Sequence, residues 1–107
     1  MAQAQAERRA SRRFTLRLPL AVRHPHRGEI PAHTRDVSSR GICFYFDSPL
    51  ELGSDVQFTL TLPPEVTLTD AIRVRCYAKV VRVEPALTGI GVAVAALIDR
   101  YEFLAER

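Results

Sequence analysis

Val56-Gln57-Phe58-Thr59-Leu60-Thr61-Leu62 alternates apolar and polar residues without a break. A period of two is the signature of a strand buried on one face, so Val56, Phe58, Leu60 and Leu62 are assigned to a core and Gln57, Thr59 and Thr61 to the surface. The pattern repeats on both sides of this stretch. Beyond the loop at Pro63-Pro64-Glu65, Ile72 to Val83 sets Ile72, Val74, Cys76, Ala78 and Val80 against Arg73, Arg75, Tyr77, Lys79 and Val81, long enough to bend across two sides of a barrel. Toward the N-terminus, Ile42 to Phe46 and Ile30 to Val37 read as strands separated by Ser38-Ser39-Arg40-Gly41. Phe14, Leu16, Leu18, Leu20 and Val22 alternate with Thr15, Arg17, Pro19 and Ala21, and Pro19 puts that strand at an edge or bulge. A last strand is expected over Gly89 to Val94. The tail from Ala95 to Arg107 carries Leu97, Tyr101 and Leu104 at helical spacing, which predicts a short amphipathic helix.

Six short strands divided by Pro/Gly/Asp/Ser turns predict an all-β protein, a six-stranded antiparallel barrel with a short C-terminal helix. No βαβ pattern is present, and Gly89-Ile90-Gly91 is too short a fragment to indicate a dinucleotide fold.

The chain has the length of one domain, and its 47% apolar and 25% charged residues are those of an ordinary globular protein. No run approaches the roughly 18 apolar residues of a membrane span, and the first residues lack a signal-peptide core; a cytoplasmic location is expected. Cys43 and Cys76 lie within apolar runs and read as small core residues. His24, His26 and His33 have no Cys or carboxylate at zinc-ligand spacing, so no metal is expected. His33 and Asp36 stand three apart, which on a regular strand puts them on opposite faces. With no triad-like pair and no P-loop, an enzyme is not expected.

Charge is unevenly distributed. Residues 1–27 hold seven Arg against Glu7, a balance of +6, whereas residues 28–107 hold seven Arg and Lys79 against eleven acids, a balance of −3. A basic segment at one end points to a local anion site, and guanidinium forks suit phosphates and stacked bases. Residues 1–12, polar and without an apolar period, are expected to form a flexible arm ahead of a barrel spanning 13–107.

Two motifs carry chemistry. Arg9 and Arg13 form R-x-x-x-R, preceded directly by Arg8; Asp36-Val37-Ser38-Ser39-Arg40-Gly41 reads D-x-S-x-x-G. In this order on a barrel-like pattern, they resemble the signature of the PilZ family, and the resemblance runs from about Glu7 to about Val94. It implies a receptor for cyclic di-GMP, a bacterial second messenger, acting through an unidentified effector protein and requiring no cofactor. The chemistry suits that ligand. An Arg fork satisfies guanine O6 and N7 together, Asp36 accepts from guanine N–H groups, Ser38 offers a short donor, and Gly41 permits a tight turn. The resemblance implies one site made of Arg8, Arg9, Arg13, Asp36, Ser38, Gly41 and Gly91. Arg8 supplies one more guanidinium plane, which favours an intercalated pair of ligands over one. Arg12 and Arg40 are ambiguous, and Tyr45 and Tyr77 read as outward surface residues. The alternatives are a PilZ-type adaptor without ligand and a single-stranded nucleic-acid-binding barrel; the first would lack the arginines, the second would need more outward aromatics.

Overall fold

The computed structural model describes residues 15–104. Six strands, β1 (Pro19–His24), β2 (Gly28–Val37), β3 (Gly41–Phe46), β4 (Asp55–Leu62), β5 (Ile72–Pro85) and β6 (Val92–Leu104), are all paired antiparallel. They close into a barrel in the order β1-β2-β3-β6-β5-β4. One helical turn, α1 (Pro64–Thr67), follows β4.

The alternating apolar residues line the interior as the period of two requires. Val22, Ile42, Phe44, Phe58, Val80 and Val94 are each at most 1% exposed. Phe44 anchors the centre, its ring 5.9 Å from Phe58 and 6.1 Å from Phe46. Cys76 is part of this core, and burial pushes its thiol up to about 12. Cys43 is equally buried but faces outward, between the inward side chains of Ile42 and Phe44, and does not belong to the core cluster.

Three departures from strict alternation matter. Arg35 is an extra residue on β2, since Thr34 pairs with Phe44 and Asp36 with Cys43. Val81 is extra on β5, and Asp99 on β6. Each such bulge shifts the chain by one residue and reverses which side chains face the core. The first corrects the expectation for His33 and Asp36: with Arg35 inserted, both turn to the outer face.

The expected C-terminal helix is replaced by strand. Residues 95–104 continue β6 and pair with β5 as far as Arg73↔Leu104. Leu97, Tyr101 and Leu104 match a helical period, but a helix this short is marginal in water, whereas the backbone of the first residues of β5 needs a hydrogen-bonding partner beside it. The bulge at Asp99 resets the register so that Tyr101 and Phe103 stand opposite the inward Cys76 and Val74. The last strand thus begins at Val92 rather than Gly89, and Gly89 and Gly91 form the preceding turn with φ of +83° and +75°.

Candidate functional site

Asp36-Val37-Ser38-Ser39-Arg40-Gly41 makes the end of β2 and the turn into β3. Ser38 organises that turn. Its hydroxyl accepts from the backbone N–H of Gly41 at 3.0 Å and of Arg40 at 3.3 Å and donates to the Gly41 carbonyl at 3.2 Å, while the Ser38 N–H donates to the same carbonyl at 2.9 Å. A serine hydroxyl has one proton, so a ligand that accepts from Ser38 must compete with Gly41 for it. Gly41 does not take the left-handed backbone that turn glycines favour. It is small because β6 passes close by, and a Cβ there would lie 3.2 Å from the Ala96 carbonyl oxygen.

β6 clamps the turn from the other side. The Ile98 N–H donates to the Arg40 carbonyl at 2.8 Å and the Tyr101 hydroxyl to that of Ser39 at 3.2 Å. Arg40 itself is exposed.

The chain enters β1 beside this turn. Thr34, 1% exposed, donates through its hydroxyl to the Leu16 carbonyl, accepts from the Leu18 N–H at 2.8 Å, and donates its own N–H to the Leu18 carbonyl at 2.9 Å. Because β1 and β2 are antiparallel from Pro19↔His33, the chain before Leu18 advances toward the Asp36 end of β2. Arg8, Arg9, Arg12 and Arg13, with the rest of the expected arm, lie outside the described residues.

Asp36 is 14% exposed at its side chain, and its carboxylate accepts from Arg35 Nε at 3.1 Å, a contact that holds the Arg35 guanidinium above its ordinary pKa. On the outer face Asp36 starts a row that crosses four strands: it pairs with Cys43 on β3, Cys43 with Ala95 on β6, and Ala95 with Arg82 on β5. The middle of the row is made of two small side chains, Cys43 and Ala95, both buried. Tyr45 and Ala93 bound it on one side and Gly41 and Leu97 on the other. The result is a shelf with an acid at one rim and an arginine at the other. The sequence motifs mark only its Asp36–Gly41 side. Cys43 and Ala95 escape them because two small apolar residues in strands look like core; the signal for their outward placing is that each lies between two inward residues.

Gly91 is not brought to this turn. It sits by Phe46, at the end of β3 opposite Gly41, where a Cβ would stand 2.4 Å from the Phe46 carbonyl oxygen, so the backbones of two segments meet there. Tyr77 is an outward residue as expected, with Arg100 stacked 4.0 Å above its ring.

A hollow of about 730 Å³, lined by Arg23, His24, His26, Asp55, Tyr77 and Asp99, lies away from the D-x-S-x-x-G turn. It is a wide groove at the β1–β2 turn rather than an enclosed site. A smaller one, about 240 Å³, opens at the barrel mouth beside the turn, between Val37, Ser38 and Ser39 of the motif and Leu62, Val74 and Phe103. Among the described residues no group of His, Cys, Asp and Glu is arranged to hold a metal, and no helix is long and apolar enough to cross a membrane.

A comparison with curated proteins yields no match. Among solved structures, that of the Bacillus subtilis inhibitor of motility (MotI/DgrA) superposes with a TM-score of 0.74 at 17% sequence identity, covering 86% of this chain and 43% of that one. This likeness concerns the barrel fold, and the chain spans less than half the length of that protein. The family model of the PilZ domain matches residues 7–103, a span that holds both sequence motifs and all of the barrel but the last residue of β6, Leu104. With the six-stranded barrel and the D-x-S-x-x-G turn in place, the chain belongs to the PilZ domain family.

Proposed function

We propose that this PilZ domain is a receptor for cyclic di-GMP that transmits the signal by binding to an effector protein, without catalysis. The observation that carries the reading is the convergence at one end of β2. The Ser38–Gly41 turn and Asp36 lie beside Leu16 and Leu18, where the chain runs into β1, and Arg9 and Arg13 precede that point by only a few residues in the sequence. Asp36 accepts from a guanine N1–H and N2–H, and Arg9 and Arg13 pair with phosphate or with guanine O6 and N7. Ser38 donates to the ligand in exchange for its bond to Gly41. The arm of residues 1–12 closes over the bound dianion, which supplies partners for its guanidinium groups, and this closure changes the surface that the effector reads.

Arg8 adds a third guanidinium beside Arg9 and Arg13. Two stacked cyclic di-GMP molecules carry four negative charges in a small volume, and an additional planar cation offsets their repulsion and caps the stack of guanines. The site is therefore assigned an intercalated pair.

Calorimetric titration with cyclic di-GMP tests the reading. Heat release that saturates near two ligands per chain is expected, with GTP giving none. A flat trace with folded protein at tens of micromolar ligand overturns it.

A further inference from the structure

The outer row Asp36–Cys43–Ala95–Arg82 owes both of its ends to bulges. Without the extra Arg35, the residue opposite Cys43 would be Arg35 itself and Asp36 would turn into the core; without the extra Val81, the residue opposite Ala95 would be Val81 and Arg82 would turn inward. Bulges are commonly placed where a side chain must be re-aimed beside a site. Here two of them, on strands that are not neighbours, aim an acid and a guanidinium onto the two ends of one row, with Cys43 and Ala95 between them in the register. Three strand spacings of about 4.8 Å separate β2 from β5, so the row runs about 14 Å along the curved outer surface, a span on the scale of a ligand with two bases.

We infer that Arg82 is a further ligand-binding residue, gripping the guanine or phosphate on the far side of the cyclic dinucleotide from Asp36; the inference rests on the receptor reading above. Arg82 belongs to neither sequence motif. Its ion pair with Glu84 at 3.3 Å is exposed at 58% and 55% of the two side chains, so it gives way to a ligand at little cost. An anionic ligand also replaces a carboxylate partner in kind. The small floor completes the assignment, because only residues as short as Cys43 and Ala95 let one planar ligand reach both rims.

Cyclic di-GMP is titrated into the unaltered chain and the variants Arg82→Ala, Arg82→Lys, Ala95→Leu and, as a control on the same strand away from the shelf, Arg73→Ala. Arg82→Ala is expected to weaken binding at least tenfold, Arg82→Lys to fail to restore it, Ala95→Leu to block the shelf, and Arg73→Ala to match the unaltered chain. Thermal melts confirm that each variant folds. In the unaltered chain the Arg82 Nε–H resonance is expected to shift on adding ligand, a readout independent of any substitution. If the unaltered chain binds while Arg82→Ala binds equally well and the Arg82 resonance stays fixed, Arg82 has no such role. If the unaltered chain does not bind at all, the receptor reading itself falls, and this inference with it.

Discussion

Gly89 and Gly91 have nearly the same left-handed backbone but different surroundings, and this separates two reasons for glycine. A Cβ on Gly89 would meet nothing within 4 Å, whereas one on Gly91 would sit 2.4 Å from the Phe46 carbonyl oxygen. Gly89→Ala is therefore expected to cost only the conformational penalty, about 1 kcal/mol, and Gly91→Ala more than about 3 kcal/mol because β3 must also move. Denaturant unfolding of the two variants measures the difference, and equal midpoints would remove the argument. Cys76 adds a pH dependence. Burial raises its thiol from 9.0 in the unfolded chain to about 12, so between those values the unfolded chain loses a proton that the folded one keeps. Stability is thus expected to be intact below pH 9 and to fall as pH rises from 9 toward 12. Cys76→Ala should flatten that slope in alkaline melts, whatever its effect at neutral pH. At the motif, Arg8→Leu should lower the ligand count from two toward one while leaving Arg9 and Arg13 able to bind; an unchanged count in calorimetry would show that Arg8 does not hold the second molecule.

At the scale of the strands, the legible and the illegible parts of the sequence divide on periodicity. Val56 to Leu62 keeps a period of two throughout, and β4 faces as read. β2, β5 and β6 each carry one or more extra residues, and a bulge leaves no mark in composition. Nothing about Arg35, Val81 or Asp99 distinguishes them from regular strand positions until the partner strand is known. Those insertions place Asp36, Arg82, Tyr101 and Phe103, which is why the D-x-S-x-x-G turn was readable and the shelf beside it was not. The tail shows the same limit. Leu97, Tyr101 and Leu104 fit a helix, but Tyr101 and Phe103 also fit a strand, and the choice was made by β5 and not by local preference. A specific consequence concerns Asp99. Asp99→Ala keeps the extra residue and should change stability by no more than about 0.5 kcal/mol, whereas deleting Asp99 should turn Arg100 and Glu102 toward the mouth and expel Tyr101 and Phe103. Thermal melts in which deletion and substitution cost the same would show that β6 tolerates either register.

Across the whole molecule, the barrel and the basic end divide their tasks. Among the described residues the core cluster starts at Leu18, Leu16 packs against it, and Leu16 and Leu18 are anchored by hydrogen bonds with Thr34. The cationic excess, by contrast, belongs to residues 1–27, and Arg8, Arg9 and Arg12 all precede the first described residue. Removing residues 1–12 should therefore leave the barrel folded, with a melting midpoint within a few degrees of the full chain, because it removes none of the described core residues. The same truncation removes Arg8, Arg9 and Arg12 and with them the charge proposed to offset the ligand's own, so affinity for cyclic di-GMP should fall well beyond tenfold. Part of that loss is long-range attraction, which salt screens with a Debye length of about 8 Å at physiological ionic strength; added salt should hence weaken the full chain more steeply than the truncated one. Paired melts and titrations at low and high salt decide the matter. A truncated chain that binds as tightly as the full one would move the ligand's partners entirely onto the barrel, and one that fails to fold would show that the Leu16–Thr34 anchor needs the residues before it.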